Sequence, residues 1–282
     1  MPNYIPYLAL SAVSVAALAV LLVRKHAFWP LVLVLAFSGM IYFLEFFTFV
    51  LYGSYRYSPH LVSKPYYDNA FGAVVSNLIA VPVAAAYVAV YRLGARWWIL
   101  SALGFGGIEW LFRWLEVYKL HWWKIPYTIA ALIFFFWLAR LWLEKVRQGA
   151  FPYVFLTLHM FAWSAIGTFL FALGVSGVRA LHAGVFEDPY HDDIFMSAVC
   201  GFAKATLLAA VVYRTRSLGG YAVALLLIFA ANAAMIRFDI LRVYLPLWQY
   251  WLIYIPCMVA VLWSMNVALR TMKRLRFSSF RE

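Results

Sequence analysis

The chain has 282 residues, of which 66% are hydrophobic and 12% are charged, and its formal net charge is +12. This composition excludes an ordinary soluble domain and is typical of a polytopic membrane protein. Basic residues at a membrane surface meet anionic lipid head groups, so the net charge does not imply a nucleic-acid partner. The sequence contains no Cys/His spacing typical of a metal site and no phosphate-binding loop, and we expect no metal and no cofactor.

Nine apolar stretches are long enough to cross about 30 Å of hydrocarbon. In chain order they are roughly 4–23, 28–52, 70–91, 97–118, 125–143, 151–176, 194–213, 219–240 and 247–268. We therefore predict an all-α polytopic membrane protein with about nine transmembrane helices.

The basic residues of the loops predict the orientation of these helices. An odd number of crossings places the two termini on opposite sides of the membrane. If the N-terminus is outside, fourteen Lys and Arg residues lie on the inner side and six on the outer side. The positive-inside rule thus favours an outside N-terminus and a cytoplasmic C-terminus, and we expect a bacterial plasma membrane. The first residues carry no basic segment, so a cleaved signal peptide is not expected.

An internal repeat divides the chain. Residues 65–68 read Pro-Tyr-Tyr-Asp and residues 189–192, which lie 124 positions later, read Pro-Tyr-His-Asp. The same offset pairs Arg92 with Arg216 and Arg113 with Arg237. Spans two to five and six to nine then form two tandem four-helix repeats in parallel orientation, because four crossings are an even number. The predicted division is an N-terminal helix (1–27), a first repeat (28–149), a second repeat (150–268) and a basic cytoplasmic tail (269–282).

The two repeated motifs end in Asp68 and Asp192, each at the end of a predicted outer loop. An aspartate near a helix N-terminus can cap free backbone N–H groups. The alternative is that the two loops fold inward over a shared cavity. His60 and His191 belong to the same loops and are expected to titrate near neutral pH.

Several acids lie inside apolar stretches, where a charged side chain costs roughly 2.5–3.5 kcal/mol or more unless it is paired or hydrated. Glu45 and Glu109 are each several residues from a span end. Glu109, Arg113 and Glu116 share one helical face at spacings of i, i+4 and i+7. This constellation is either an intrahelical ion-pair ladder or a catalytic acid beside an arginine.

In the second repeat, the offset of 124 places Ala233 and Ile240 at the positions of the two acids that flank Arg113. Arg237 is therefore expected to find a carboxylate across the bundle. We predict that Glu45, Glu109, Arg113 and Arg237 converge on one cavity in the outer half of the bundle. The candidate catalytic acids are Glu45, Glu109 and Asp239.

Two further polar residues lie within predicted spans. Lys204 falls near the middle of the seventh span, where desolvation disfavours its charge unless a carboxylate is close. It is expected either to pair with Glu45 or Glu109, or to act as a proton acceptor or Schiff-base amine. Asn77, in the third span, is expected to form hydrogen bonds between helices.

Buried carboxyl groups in different surroundings are what protonation-initiated cyclisation or double-bond isomerisation requires. With its buried acids and the pattern Glu109-x-x-x-Arg113-x-x-Glu116, the chain resembles the small integral-membrane terpenoid cyclases and the emopamil-binding type sterol isomerases. This resemblance implies a helical bundle whose intramembrane acids act on an isoprenoid or lipid, as a membrane lyase or isomerase.

Two other functions remain open at this point. Parallel repeats around a central path are also typical of a proton- or cation-coupled transporter or a membrane protein that binds a lipid or small molecule. A structural subunit whose charges guide assembly is the third alternative. In each case the expected partners are membrane lipids, with a hydrophobic small molecule in the first two.

Overall fold

The computed structural model describes residues 2–215 and 217–278, with side chains up to residue 275. Within these residues the chain forms nine helices and four short strands. The helices are α1 (Tyr4–Lys25), α2 (Trp29–Leu51), α3 (Pro65–Val90), α4 (Ala95–Trp114), α5 (Ile125–Arg147), α6 (Phe151–Val175), α7 (Pro189–Arg214), α8 (Leu218–Arg237) and α9 (Leu247–Ser278).

Eight of the described helices are long and apolar enough to cross a membrane. Helix α4 is the exception, because Arg96, Glu109 and Arg113 lie within its 20 residues. The prediction of an all-helical, multi-pass membrane protein is confirmed, while the number of crossings stays a prediction. Helix α9 continues to Ser278, so the start of the predicted tail at 269 is helical.

Two helices contain π-helical segments. In α2 this segment is Phe46–Leu51, and in α3 it is Val75–Ala80. Glu45 directly precedes the first segment and Asn77 lies inside the second. The wider π turn changes the direction in which neighbouring side chains point, and such segments occur frequently at functional sites.

The four strands form two antiparallel ribbons. Strand β1 (Tyr55–Tyr57) pairs with β2 (Tyr118–Leu120), and β3 (Arg179–Leu181) pairs with β4 (Leu241–Val243). The first ribbon joins the α2–α3 loop to the α4–α5 loop, and the second joins the α6–α7 loop to the α8–α9 loop. Because all four loops follow even-numbered helices, both ribbons lie at the same end of the bundle, which we call the strand end.

Close contact between α2 and α6 connects the two halves of the bundle. A Cβ atom built on Gly39 of α2 would lie 2.1 Å from the backbone oxygen of Met160 in α6. Helix α1 packs on the first half, where the buried Tyr7 donates a hydrogen bond of 2.6 Å to the backbone oxygen of Val117. Direct contacts therefore join α1 to the first set of four helices, and the first set to the second.

The turns after α4 and α8 have the same backbone geometry at an offset of 123 residues. The helices end at Trp114 and Arg237, and Glu116 and Asp239 each adopt a φ of 58° in the turn that follows. Arg237 therefore falls at the position of Trp114, and the predicted pairing of Arg237 with Arg113 is wrong by one residue.

The same offset changes the residues that match the two acids of α4. Asn232 takes the position of Glu109, in place of the predicted Ala233, and Asp239 matches Glu116. The one-residue difference cannot be detected in apolar helices, where many alignments fit equally well. Arg216, the predicted counterpart of Arg92, lies outside the described residues.

Candidate functional site

A cavity of about 520 Å³ lies among α2, α3, α4 and α5, below the β1–β2 ribbon. Glu45 from α2, Asn77 from α3 and Glu109 from α4 all line it. The structure thus brings together three of the residues that the sequence analysis singled out. Most of the remaining wall is aliphatic or aromatic.

Glu45 lies at the start of the π-helical segment of α2 and points into this cavity. The hydroxyl of Tyr55 in β1 donates a hydrogen bond to its Oε1. Its second oxygen, Oε2, is buried and forms no hydrogen bond of normal geometry with a described residue, and the side chain of Asn77 is a weak partner of the same carboxyl group. One acceptor of this carboxyl group is therefore fixed by the ribbon, and the other is available to a ligand or water.

Glu109 contributes a second incompletely satisfied carboxyl group. Its Oε1 is buried without a partner among the described residues. Thr128 of α5 lines the same cavity, and its hydroxyl accepts a hydrogen bond of 2.8 Å from the indole of Trp123. A buried acceptor without a partner costs free energy, so a ligand that donates a hydrogen bond here would recover it.

Three tyrosines of the ribbon form the wall at the strand end. Tyr57 lies opposite Tyr118 in the register, with ring centroids 4.8 Å apart, and Tyr55 lies 5.5 Å from Tyr118. Burial raises the pKa of all three hydroxyls well above the usual tyrosine value. They stay protonated at neutral pH, and the hydroxyl of Tyr55 donates to Glu45.

The cavity opens sideways between α2 and α5. Phe43, Leu44 and Phe134 line it and are also 47%, 46% and 59% exposed on the outer surface of the bundle. In a membrane-embedded bundle such an apolar surface faces the lipid hydrocarbon. The opening therefore leads into the bilayer.

A second cavity, of about 110 Å³, lies between α2 and α3 on one side and α6 and α7 on the other. Glu45 and Asn77 line both cavities and so form the partition between them. Tyr42 and Thr168, whose hydroxyls are 3.2 Å apart, line the smaller cavity.

The two arginines of the predicted site do not join these acids. Arg113 and Arg237 are exposed and do not line either cavity. Among the described residues, neither forms an ion pair, so the intrahelical ladder through Glu109 is not formed. Both arginines lie in the last turn of their helices, where a long side chain can extend to the membrane surface. Of the four side chains that were predicted to converge on one cavity, only the two glutamates do so.

The other two candidate acids lie in turns at the strand end, away from the cavity. Glu116 is exposed. Asp239 is also exposed and accepts three hydrogen bonds from Arg242, the shortest 2.8 Å long. These bonds lower the pKa of Asp239. Asp239 therefore does not line either cavity with Glu45 and Glu109.

Lys204 is buried in α7, but it does not pair with either glutamate. Its Nζ lies 5.4 Å from the ring centroid of Tyr254, and no described carboxylate is within ion-pair distance. The expected salt bridge to Glu45 or Glu109 is therefore wrong. The aromatic ring supplies a cation–π contact instead.

Asp68 and Asp192 each organise a loop. Asp68 accepts hydrogen bonds of 2.7–3.1 Å from the backbone N–H groups of residues 60–62. Asp192 accepts four such bonds, of 2.7–3.3 Å, from residues 183–186. Both carboxylates are buried and line neither cavity. The geometry therefore supports a role for each aspartate in stabilising its own loop. The N-cap of α7 is Asp188 and not Asp192.

The two histidines of these loops differ in their surroundings. His60 is exposed, and its backbone N–H is one of the donors to Asp68. The ring of His191 is stacked between Tyr66 and Phe186 at centroid distances of 4.0 and 3.7 Å. Its Nε2 lies 2.7 Å from the backbone oxygen of Val50. His191 thus connects α7 to the π-helical segment that follows Glu45.

A buried ion pair was missed in the sequence. Arg179 of β3 is 1% exposed, and its Nη1 lies 2.5 Å from Oδ1 of the fully buried Asp193. Tyr67 donates a hydrogen bond of 2.9 Å to the other carboxylate oxygen. The sequence contains one signal for this pair: Asp193 directly follows the second copy of the repeated motif, whereas Asn69 follows the first copy. The side chain of Asn69 accepts a hydrogen bond from the backbone N–H of Tyr57, in the same way that Asp193 accepts one from the backbone N–H of Leu181.

No group of three or more His, Cys, Asp or Glu side chains within residues 2–215 and 217–275 is arranged to hold a metal ion. Comparison of the chain with protein-family models, curated proteins and solved structures found no match.

Proposed function

We propose that the protein takes up a lipid or isoprenoid from the bilayer into the cavity of about 520 Å³ and performs acid–base chemistry on it with Glu45 and Glu109. One observation carries this proposal: an apolar cavity that opens toward lipid contains two carboxyl groups, each with a buried oxygen that lacks a partner. Cavities of roughly 300–1,000 Å³ with few, convergent polar groups are typical of small-molecule sites.

The proposed chemistry conserves the atoms of the substrate. One carboxyl group donates a proton to a double bond, which leaves a carbocation. The other carboxylate removes a proton from a neighbouring carbon, and the product is an isomer or a cyclised form. The hydroxyl of Tyr55 orients the carboxyl group of Glu45, and the faces of the surrounding aromatic rings stabilise the positive charge of the intermediate.

We also propose that α2–α5 and α6–α9 are tandem units in parallel orientation, with the strand end outside the cell. The two equivalent ribbons and the two aspartates that hold outer loops support this arrangement. At the offset of 124 residues that relates β1 to β3, Phe169 corresponds to Glu45, and the second unit buries Tyr250 and Tyr254 in its core. The reactive cavity would then belong to the first unit alone.

The test uses purified protein and its bound lipids. Ala131→Trp fills the cavity, and Gly104→Leu adds apolar volume on the open outer face of α4 as its control. Glu45→Gln and Glu109→Gln keep the shape of each side chain but cannot transfer a proton. Glu116→Gln, in the exposed turn, is their matched control. Bound molecules are extracted and identified by mass spectrometry, and isomers are separated by chromatography.

We expect a hydrophobic molecule to co-purify with wild type and both controls but not with Ala131→Trp. The two Gln variants should hold the unconverted substrate, while wild-type membranes contain its isomer. An identical isomer composition in wild type and both Gln variants would show binding without chemistry. Equal ligand content in wild type and Ala131→Trp would contradict the proposed site.

Proton- or cation-coupled transport is a second candidate, and one observation favours it. Glu45 and Asn77 line both cavities, so an ion bound by Glu45 could be reached from two sides. Proteoliposomes loaded with a pH-sensitive dye distinguish this function. A lipid-independent proton flux that Glu45→Gln abolishes and Glu116→Gln leaves intact would support transport over enzymatic chemistry.

A further inference from the structure

We infer that the polar group of the ligand is an alcohol or an amine, and that phosphate, diphosphate and carboxylate head groups are rejected. This inference rests on the proposed function, because it concerns the same cavity. It follows from the charges and the hydrogen-bonding groups that the described part of the chain presents to the ligand.

The charge of the lining opposes an anionic ligand. Glu45 and Glu109 are the ionisable acids of the wall, and no lysine, arginine or histidine is among its described residues. An anion in this low-dielectric space would meet two carboxyl groups without a compensating cation. Three basic residues that could have supplied one do not line the cavity: Arg113 is exposed and its charge acts on Glu109 only from outside the lining, Arg179 pairs with Asp193, and Lys204 packs on Tyr254.

The hydrogen-bonding groups favour a donor on the ligand. Oε2 of Glu45 and Oε1 of Glu109 are acceptors without a described partner. A hydroxyl or ammonium group carries N–H or O–H donors that can satisfy such oxygens, whereas an ionised phosphate or carboxylate can only accept. The complementarity is therefore between the unpartnered carboxyl oxygens, above all those of the glutamate that is ionised, and a donor on the ligand.

The aromatic part of the wall is compatible with a positive charge. Tyr55, Tyr57 and Tyr118 line the strand end of the cavity, beside Glu45. Ring faces attract an ammonium group electrostatically and tolerate a neutral hydroxyl. The same wall offers an anion no attraction beyond the tyrosine hydroxyls.

The experiment compares three amphiphiles with the same twelve-carbon chain: dodecylamine, dodecanol and dodecanoic acid. Binding to wild-type protein in a neutral detergent at pH 8 is measured by isothermal titration calorimetry. Ala131→Trp, in which the cavity is filled, measures the background signal from partition of each amphiphile into detergent micelles. The double variant Glu45→Gln/Glu109→Gln tests the origin of the preference, with Glu116→Gln as its control.

We expect the amine or the alcohol to bind at least about tenfold more tightly than the acid, a difference that corresponds to roughly 1.4 kcal/mol. Tighter binding of the amine identifies a cationic head group, and equal or tighter binding of the alcohol identifies a neutral one. The double variant should lose most of the discrimination against the acid, whereas Glu116→Gln should keep it. If the double variant does not fold, the two single variants are compared with wild type. Each should reduce the ratio between the affinity for the amine or alcohol and the affinity for the acid.

Two negative outcomes have different meanings. Binding of the acid as tight as that of the amine and alcohol, abolished by Ala131→Trp, would overturn the head-group inference and leave the cavity as a ligand site. Unchanged discrimination in the glutamine variants would overturn it as well. The absence of any difference between wild type and Ala131→Trp for all three amphiphiles would instead contradict the proposed function.

Discussion

Arg179 and Asp193 show how burial changes the role of an ion pair. Both side chains are at most 1% exposed, and Tyr67, Ser197 and the backbone of Leu181 form further hydrogen bonds with them. Once two charges are removed from water, the loss of one partner leaves the other uncompensated. An exposed pair has water as an alternative partner and contributes much less.

We predict that Arg179→Leu lowers the free energy of unfolding by about 3–5 kcal/mol, because it leaves Asp193 buried without its cation. Arg242→Leu breaks the exposed pair with Asp239, whose side chains are 47% and 70% exposed, and should cost no more than about 1 kcal/mol. Thermal unfolding in detergent measures both losses. Equal losses would contradict the distinction, and Arg179→Leu/Asp193→Leu should recover part of the stability.

The sequence predicted the two glutamates of the cavity correctly, whereas Arg113 and Arg237, the arginines predicted to join them, lie elsewhere. An acid within an apolar run must face the interior of the bundle or a cavity, and this reasoning selected Glu45 and Glu109. Arg113 lies only one helical turn beyond Glu109, yet it is exposed near the end of α4. Spacing along a helix indicates a shared face, but rotation of the helix and the depth of the residue decide whether a pair forms.

At the scale of helices, the contact between α2 and α6 depends on one glycine. A Cβ atom on Gly39 would lie within 3 Å of three backbone atoms of Met160. Backbone atoms cannot move aside as a flexible side chain can. Small residues allow this close approach of membrane helices, where packing and hydrogen bonds replace the hydrophobic driving force.

We therefore predict that Gly39→Ala destabilises the protein by about 1–3 kcal/mol, because α2 and α6 must separate. Gly104→Ala is the matched control, since nothing lies within 4 Å of its added Cβ. This control should be neutral or should stabilise α4 by up to about 1 kcal/mol through its higher helix propensity. Midpoints of thermal unfolding give the comparison. A neutral Gly39→Ala would show that the two helices can shift without cost.

The π-helical segments are elements that sequence patterns could not place. Glu45 and Asn77 owe their positions at the partition between the two cavities to the wider turns of Phe46–Leu51 and Val75–Ala80. A π turn forms when contacts in the folded bundle compensate for the less favourable local geometry. Apolar periodicity does not contain this information.

At the scale of the whole molecule, the basic residues of the loops make the orientation testable. On the basis of the positive-inside rule, we propose that the loops of the strand end lie outside and the remaining turns in the cytoplasm. Residues 26–28, 91–94 and 148–150, together with the described residues 215 and 217 between α7 and α8, lie at the end opposite the ribbons. Labelling from each side of the membrane therefore distinguishes the two orientations.

We predict that cysteines introduced at Lys119 and Glu187 react with an impermeant maleimide in intact cells. Cysteines at Gly94 and Leu218 should react only after the membrane is opened. All four positions are exposed, and the two native cysteines are replaced by alanine in the background. The reverse pattern would invert the proposed orientation. Labelling of Glu187 and Leu218 from the same side would contradict a crossing by α7.

The class of the protein and the approximate positions of its helices follow from the amino-acid sequence alone. Composition and the length of the apolar runs are sufficient for this, because hydrocarbon admits only segments that satisfy their own backbone hydrogen bonds. The sequence also selected Glu45, Asn77 and Glu109, since polar groups in such segments need a partner or a cavity.

Which polar groups meet, in contrast, depends on how the helices pack in the folded bundle. It placed Glu45 and Glu109 at one cavity, turned Arg113 and Arg237 outward, and buried Arg179 beside Asp193. These outcomes depend on helix rotation, π turns and a one-residue difference in register. Such features carry almost no signal in an apolar sequence, because many rotations and registers bury the same kinds of side chain equally well.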